Sequence, residues 1–314
     1  MSTLALTGVT GFVGSHVLEA ALAAGHRVRA LTRREQPPLD GAVWVKGTLA
    51  DQAALAALVE GADAVIHVAG LTNTPDPAQF EAANVAGTAN VIAAMKAHKV
   101  ARLVFVSSLA ARKPELSAYG ASKARAEVLV EASGLDWTTV RPPGVYGPRD
   151  VDYLEMFRTA RLGFVPLPPG GASSLIHVSD LAWLLVRLAG PTASLLEDPA
   201  SRVTVSKQIY EPDDGREGGW SHKELAQAIA RAVGRRAVFA PHLPEGAMRL
   251  AARIDGALRG DKAKLTPDRV GYMSHPNWVA RFDRKVPPAI WQPKITGEEG
   301  LRATAEWYRA EGWL

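Results

Sequence analysis

The chain has 314 residues, of which 47% are hydrophobic and 22% charged, an ordinary composition for a globular protein of one or two domains. Its net charge is +4 and its basic residues are scattered, so no nucleic-acid partner is indicated. The absence of cysteine excludes disulfides and thiolate chemistry, and the eight histidines lack metal-ligand spacing, so we expect no metal site. With no apolar run of about 18 residues and no signal peptide, we expect a cytoplasmic enzyme without a membrane partner.

The first predicted elements are a strand, a glycine turn and a helix within Thr3 to Gly25. Alternating leucines open this stretch, and apolar residues at helical spacing close it. Between them, Gly8 permits a tight turn, Gly11 lets the backbone approach a pyrophosphate, and Gly14 lets the helix pack closely on the strand. A phosphate there meets free amides and the positive end of the helix dipole. This context predicts a dinucleotide site, with a purely structural turn as the alternative.

Residues 27–32 predict a second strand, which ends at Arg33 and Arg34. In a dinucleotide fold an acidic residue at this position binds the ribose 2′-hydroxyl, whereas an arginine suits a 2′-phosphate. No acidic residue occurs before Glu35. The strand end therefore predicts NADP, with NAD as the alternative cofactor if the two arginines are only solvated surface charges.

Strands and helices continue to alternate with short connections, which predicts an α/β fold with a doubly wound parallel sheet of the Rossmann type. Within it, Asp51 is a candidate N-cap, and His67, inside a buried strand, is expected to be a core residue. The proline- and glycine-rich segment 142–148 predicts a loop. The predicted strands are 43–46, 63–68, 102–108 and 136–141, and the predicted helices are 52–60, 80–98 and 119–132.

The alternation loosens in the second half of the chain. Capping boxes begin helices at Ser221 and Thr296, and Thr266-Pro267 starts another. We predict a dinucleotide-binding domain over 1–170, to which 176–203 returns, and a smaller mixed region over 204–314 that mainly binds substrate. The remaining predictions are a strand at 175–178, a helix at 180–189 capped by Ser179, a connection at 190–202, a strand at 203–210 and a helix at 245–259.

The helix at 119–132 carries Tyr119 and Lys123 four residues apart, which places both side chains on one face. A free tyrosine is a weak acid–base group at neutral pH, but a nearby ammonium favours the phenolate and lowers its pKa. Ser108 ends the preceding strand, where a hydroxyl points toward the cofactor crevice. The three residues predict proton exchange with a hydroxyl or carbonyl. The alternative is a surface pair between Lys123 and Glu127 beside a half-buried tyrosine.

Seven segments resemble the extended short-chain dehydrogenase/reductase family, the group similar to NAD-dependent epimerases and dehydratases. They occur in the family's order within residues 3–185 and are jointly specific, although each alone is not. The segments are TGVTGFVG (7–14), DAVIHVAG (63–70), NVAGTANV (84–91), FVSS (105–108), YGASK (119–123), RPPGVYGP (141–148) and IHVSDLA (176–182).

The resemblance implies a role for each matching residue. Tyr119 is implied as the acid–base, Lys123 as its partner and a ligand of the nicotinamide ribose, and Ser108 as a hydrogen-bond donor to the reacting oxygen. Arg33 matches the position that contacts the 2′-phosphate in NADP-using relatives. The implied cofactor-binding residues are Gly8, Thr10, Gly11, Phe12, Val13, Gly14, Arg33, Thr48, Leu49, Ala69, Gly70, Asn84, Tyr119, Lys123, Pro142 and Val145.

Two segments depart from the family's pattern. Where the family often has GDLxD, this chain has GTLAD at 47–51, so Thr48 replaces an aspartate that binds the adenine amino group. The loop 109–118 is shorter than in sugar-nucleotide epimerases and dehydratases, and it lacks the Asp-Glu pair of dehydratases. The short loop removes part of the usual substrate wall. The missing Asp-Glu pair argues against dehydration and weakens a sugar-nucleotide interpretation.

We therefore expect an NADP(H)-dependent oxidoreductase that interconverts a carbonyl and an alcohol on a small or mid-sized organic substrate. An NAD-dependent sugar-nucleotide epimerase and a non-catalytic nucleotide-sensing protein are the alternatives. The family places substrate contacts at 71–73, in the loop after Ser108, at 146–175 and in the C-terminal segment. It also suggests a homodimer through the helices 80–98 and 119–132.

Overall fold

The computed structural model describes residues 1–190, 204–260 and 263–314. The strands are β1 (Thr3–Thr7), β2 (Arg27–Thr32), β3 (Ala42–Lys46), β4 (Ala64–His67), β5 (Arg102–Val106), β6 (Asp136–Val140), β7 (Gly144–Tyr146), β8 (Ala172–Ser173), β9 (Leu175–His177), β10 (Gln208–Tyr210), β11 (Trp220–Ser221) and β12 (Asn277–Trp278). The α-helices are α1 (Phe12–Ala23), α2 (Gln52–Val59), α3 (Pro77–Phe80), α4 (Gly87–Ala97), α5 (Ala118–Glu131), α6 (Leu154–Leu162), α7 (Val178–Ala189), α8 (His222–Ala232), α9 (Glu245–Arg259), α10 (Pro267–Met273) and α11 (Gly297–Ala310).

Seven strands form one parallel sheet in the order β10-β6-β5-β4-β1-β2-β3. The order reverses between β1 and β4, where Thr7 lies beside His67. In sheets of this kind, ligands bind beyond the carboxyl ends of the strands at this reversal. The arrangement confirms the predicted Rossmann-type α/β fold and places a candidate site next to Thr7 and His67.

Helices cover both faces of the sheet, as parallel strands that are apolar on both sides require. On one face, α1 and α7 pack against the sheet through residues such as Val17 and Leu181. On the other face, α2, α4 and α5 contribute Leu58, Met95 and Val130. The two layers hold the carboxyl ends of the central strands in fixed positions.

A smaller mixed region lies outside the main sheet, as predicted. It contains a three-stranded sheet in the order β11-β8-β12, with β11 antiparallel and β12 parallel to β8, and a separate parallel pair of β7 and β9. Its own apolar cluster joins α6, α8 and α11 around Phe157, Ile229 and Leu301. One strand of the segment 204–314, β10, instead forms an edge of the main sheet.

The caps predicted at Asp51, Ser221, Thr266 and Thr296 are confirmed. The predicted connection 190–202, apart from Gly190, and the first residue of the strand predicted at 203–210 lie outside the described residues. Among the helices that the structure describes, none combines the length and the apolar composition needed to cross a bilayer.

Several local predictions were wrong, including the strand predicted at 203–210, of whose described residues only Gln208–Tyr210 form a strand, β10. The helix predicted at 80–98 is α3 and α4 joined by a π-helical turn at Glu81–Ala86. Helix α7 begins at Val178 rather than 180, because the His177 ring, and not Ser179, caps it by accepting the Ser179 N–H at 3.3 Å. The segment 142–148 contains β7, because its prolines flank the strand and β7 pairs only with β9, away from the main sheet.

Candidate active site

The glycine turn after β1 is packed so closely that larger residues do not fit. Gly8 has a φ of +78°, and a Cβ there would lie 2.7 Å from the Ala69 nitrogen. A Cβ on Gly14 would lie 2.0 Å from the Gly8 carbonyl oxygen. Both values are far below a normal van der Waals contact, so this close approach of α1 to the turn needs glycine at both positions.

The turn leaves an open position at the start of α1. Gly11 is exposed. It is the N-cap residue of α1, and as a glycine it has no side chain that could cap the first amides of the helix. The first amides of an α-helix, here those of Phe12 and Val13, have no partner within the helix. The helix has 12 residues, so its dipole adds to these amides. This cradle fits a dinucleotide pyrophosphate.

The loop after β4 faces the same region. Gly70 is exposed, and a Cβ there would lie 2.8 Å from Asn84 Oδ1 and 3.3 Å from Lys123 Nζ. Asn84, in the π-helical turn, accepts the Leu71 N–H at 2.8 Å and donates to the Leu71 carbonyl at 3.0 Å and to Ser122 Oγ at 2.9 Å. The side chain of Asn84, predicted to bind cofactor, thus ties the loop at Gly70 to α5.

A hydrogen-bonded chain beneath the site connects β1, β4 and the π-helical turn. Thr7 Oγ1 accepts the Ala69 N–H at 3.1 Å, and it lies 2.7 Å from His67 Nδ1. His67 Nε2 lies 3.1 Å from Thr88 Oγ1, whose hydroxyl donates to the Asn84 carbonyl at 2.6 Å. This order of donors assigns the proton of the neutral imidazole to Nε2.

His67 is fully buried, in agreement with the prediction that it is a core residue. Burial, with a smaller contribution from the charge of Lys123, lowers the pKa of His67 to about 3. The ring is therefore neutral over the physiological range. Its role is to hold the turn, the loop at Gly70 and the π-helical turn in one arrangement.

The structure brings Ser108, Tyr119 and Lys123 together at the carboxyl end of β5. Ser108 lies two residues after the end of β5, and its side chain is close enough to the Tyr119 hydroxyl to favour a lower pKa of that phenol. Tyr119 and Lys123 lie on α5, with exposed fractions of 7% and 4%. Lys123 Nζ donates to the Val106 carbonyl at 2.8 Å. The three predicted catalytic side chains are thus adjacent and enclosed.

The ionisation of these side chains differs from the prediction in one respect. Burial raises the pKa of Tyr119, and the nearby Ser108 side chain opposes this only in part. The expected lowering by Lys123 is absent because its ammonium is directed to the Val106 carbonyl. Burial also lowers the pKa of Lys123 to about 8, although the nearby charge of Glu127 raises it.

The alternative ion pair between Lys123 and Glu127 does not form. Both oxygens of the Glu127 carboxylate instead accept from the Arg141 guanidinium, at 2.9 and 2.6 Å. This paired geometry suits the planar fork of arginine. Lys123 therefore remains directed toward the site beneath Gly70.

Helix α10 covers Tyr119, which the sequence did not indicate. The ring of Tyr272 lies 5.9 Å from that of Tyr119, centroid to centroid. The Asp268 carboxylate accepts the Ala118 N–H at 2.5 Å and the Tyr119 N–H at 3.3 Å. A Cβ on Gly271 would lie 2.2 Å from the Leu116 carbonyl oxygen, so α10 rests directly on the loop 109–118. The predicted helix start at Thr266-Pro267 was the only local sign of this wall.

Polar groups accompany the aromatic wall. Arg269 forms an ion pair with Asp152 at 3.1 Å and donates to the Lys264 carbonyl at 3.2 Å. The charges of Arg269 and Asp152 act in opposite directions on the pKa of Tyr119. The wall therefore places one cation and one anion near the predicted acid–base residue.

The remaining predicted cofactor residues surround the same edge of the sheet. Arg33 is exposed and has no ion pair among the described residues, whereas Glu35 pairs with Lys46 at 3.2 Å. The Thr48 hydroxyl accepts the Ala50 N–H at 3.2 Å, which leaves one acceptor position. Thr10 is exposed, and Val145 lies in β7. The Leu49 carbonyl accepts a hydrogen bond from Asn90, and the Pro142 carbonyl accepts the Leu109 N–H.

Comparisons with known proteins agree with this geometry. A family model described as NAD(P)H-binding matches residues 8–160. The chain is 32% identical to the ceramide reductase of Caulobacter vibrioides, over 99% of this chain and 96% of the relative. MoeE5 in complex with UDP-glucose and NAD has the same fold, with a TM-score of 0.72 over 99% of each chain, but its 21% identity shows the fold alone.

Two further relatives match part of the chain. One is the 4-hydroxy-2-methyl-3-oxo-4-farnesyl-3,4-dihydroquinoline-1-oxide ketoreductase of Stigmatella aurantiaca, 34% identical over 59% of this chain and 64% of the relative. The other is the 2-alkyl-3-oxoalkanoate reductase of Stenotrophomonas maltophilia, 32% identical over 54% of this chain and 59% of the relative. The chain belongs to the extended short-chain dehydrogenase/reductase family and is an NAD(P)-dependent oxidoreductase.

Proposed function

We propose that the protein is an NADPH-dependent reductase that converts a ketone on a lipophilic substrate into an alcohol. The observation that carries the proposal is the convergence of Ser108, Tyr119 and Lys123 at the position where Gly70 leaves space for a ligand. A sensing protein would not need an enclosed tyrosine and lysine beside a serine hydroxyl.

Each of these residues has a distinct task in the proposed reaction. The bound dinucleotide supplies a hydride to the carbonyl carbon. As the carbonyl oxygen gains charge, Tyr119 gives it the phenolic proton and Ser108 donates a hydrogen bond. The raised pKa of Tyr119 suits this direction, because the phenol holds its proton at neutral pH. Lys123 would hold the nicotinamide ribose, because its ammonium lies beside the space at Gly70, and a solvent proton restores the phenol.

The exposed Arg33 supports NADPH over NADH. The one acidic residue near the end of β2, Glu35, is engaged by Lys46, so it does not compete with a ribose phosphate for Arg33. A guanidinium presents two parallel N–H donors to a phosphate, which explains a preference for the 2′-phosphate.

The surroundings of Tyr119 support a lipophilic substrate. Phe80, Ala110 and Tyr119 form a buried apolar cluster, against which Leu71 and Tyr272 are packed. The three curated relatives are named for ceramide, for a farnesyl-bearing quinoline oxide and for a 2-alkyl-3-oxoalkanoate. Each of these names denotes a molecule with a hydrocarbon part, and an apolar cluster beside the reacting oxygen suits such a part.

The test is Tyr119→Phe, with Tyr210→Phe as the matched control. NADPH consumption is followed with a long-chain 2-alkyl-3-oxoalkanoate, and NADPH binding is titrated separately. We expect Tyr119→Phe to bind NADPH normally and to lose turnover by about 100-fold or more, since it removes the proton donor. Tyr210 donates its hydroxyl to the Thr204 carbonyl and should be neutral for turnover. Normal turnover by Tyr119→Phe would refute the mechanism.

A second measurement addresses the epimerase alternative. Nucleotide released from the purified protein on denaturation is identified by mass spectrometry, and the emptied protein is titrated with NADPH and NADH. We expect no retained NAD and tighter binding of NADPH. Tightly held NAD with weak NADPH binding would indicate an epimerase, whose cofactor is regenerated in place.

A further inference from the structure

Helix α9 has two apolar faces, and the described residues cover only one of them. Met248 is buried and packs with Val270 of α10. On the opposite side, Leu250, Ile254 and Leu258 are exposed by 58%, 53% and 79%. Because a surface helix of a globular protein normally has one apolar face toward its core, the second face needs an explanation.

The exposed face is a continuous stripe. Leu250, Ile254 and Leu258 follow one another at intervals of four residues, so they lie one above the other along the helix. The positions between them on this face are alanines, all exposed, and no charged residue interrupts them. The α9 stripe comprises Ala247, Leu250, Ala251, Ile254, Ala257 and Leu258.

Arginines border the α9 stripe. Arg249, which pairs with Glu245, and Arg253 are exposed and lie one turn apart along one flank of it. The segment that leads into α9 has the same combination, because Arg235 and Arg236 are exposed and Phe239 is 69% exposed. An apolar stripe bordered by cationic side chains is typical of a helix that lies in the interface of an anionic bilayer.

A second copy of the chain fits the α9 stripe less well. A stable protein interface uses about 20–30 residues on each side, whereas the stripe has six, three of them alanine. A symmetric pairing through the stripe would also bring the Arg249–Arg253 flanks of two copies toward each other. Charge complementarity therefore favours an anionic lipid surface.

We propose that the α9 stripe and its arginines dock the protein on an anionic phospholipid bilayer. The inference rests on the proposed function, because α9 packs on α10, whose Tyr272 lies 5.9 Å from the Tyr119 ring. Docking through α9 puts the wall of the active site at the surface of the phase in which a lipophilic ketone dissolves. It revises the expectation of no membrane partner, which rested on the lack of an apolar run long enough to span a bilayer.

The experiment measures binding of the full chain to vesicles. Co-sedimentation is compared for vesicles of phosphatidylcholine alone and with about one quarter phosphatidylglycerol. The test variant is Leu250→Ser with Leu258→Ser, exposed by 58% and 79%. The control is Val43→Ser with Phe282→Ser, exposed by 56% and 86% but outside α9. We expect the wild type and the control to bind anionic vesicles, and the test variant to bind about tenfold or more weakly.

Each other outcome overturns the proposal. These outcomes are no binding of the wild type, equal binding of the test variant, or an equal loss in the control. A dimer in solution that the α9 substitutions dissociate would make the stripe an interface between copies. Turnover of a short-chain, soluble 3-oxo ester is measured in parallel. If the protein turns over this ester but does not bind vesicles, docking alone is overturned. If the protein binds vesicles but does not consume NADPH, the proposed function alone is overturned.

Discussion

Replacing Asp268 by alanine tests whether α10 holds the helix that carries Tyr119 and Lys123. The Asp268 carboxylate accepts the first two amides of α5, those of Ala118 at 2.5 Å and Tyr119 at 3.3 Å. Ser117 accepts the third, that of Gly120, at 2.9 Å. Two residues that lie far apart in the chain thus share the cap of α5, so Asp268→Ala leaves two amides without these partners.

The size of the effect follows from this geometry. Loss of a capping side chain costs about 1 kcal/mol in free energy of unfolding. Loss of a negative charge at a helix N-terminus adds about 0.3–1 kcal/mol. We therefore expect Asp268→Ala to lower the free energy of unfolding by about 1.3–2 kcal/mol. Because the Tyr119 amide and the wall lose a shared anchor, kcat should fall about tenfold. Asp268→Asn keeps an acceptor without the charge and should lose about half as much stability.

Urea unfolding and NADPH consumption measure the two effects on the same preparations. The matched control is Thr296→Ala, which removes the cap that accepts the Glu299 N–H of α11, away from the site. It should lower stability by about 1 kcal/mol and leave kcat unchanged. The reasoning is refuted if Asp268→Ala keeps wild-type stability and kcat, or if the control lowers kcat as much.

Three further predictions concern charge. Since the pKa of Lys123 is about 8, its ammonium is lost as the pH rises, so kcat for ketone reduction should decline above about pH 8, and Lys123→Met should abolish this limb of the pH profile. In the unfolded chain His67 takes up a proton below its ordinary pKa of 6.5, whereas in the folded protein it does so only near pH 3. The contribution of His67 to stability is therefore complete above pH 6.5 and is lost as the pH falls. His67→Gln should therefore show a shallower decline, by about 2 kcal/mol between pH 6.5 and 5 in urea titrations, and parallel curves would contradict the linkage. Arg33→Ser should raise KM for NADPH about tenfold and leave that for NADH unchanged, whereas Arg34→Ser should change neither; equal losses would indicate a general charge effect.

The parts of the fold that could be predicted are those that depend on residues close in sequence. A helix cap such as Asp51 or Ser221 needs one side chain and an amide three residues on. The glycine turn needs Gly8 and Gly14 within a single strand–turn–helix unit. A predicted helix boundary was wrong where two nearby residues could both act as the cap. The His177 ring, and not Ser179, caps α7.

The wall over Tyr119 could not be predicted, because its contacts join distant segments. The Asp268–Ala118 bond spans 150 positions, and that of Asp268 with Tyr119 spans 149. The sequence around residue 266 indicates a helix start but contains no information about which surface the helix covers. The short loop 109–118 was interpreted as the removal of part of the substrate wall, whereas Gly271 lets α10 occupy that place.

The direction of the Tyr119 pKa shift also depends on contacts between distant segments, and it has a functional consequence. Spacing alone places Lys123 on the same helix face, which favours a lowered pKa. The ring neighbours Phe80 and Tyr272, which come from α3 and α10, enclose the phenol, and its desolvation raises the pKa instead. The residues that set the acidity of Tyr119 are therefore those that line the space for the substrate. A change in α10 that alters which ketone fits should also alter the pH at which Tyr119 releases its proton, so specificity and pH profile are coupled through Tyr272.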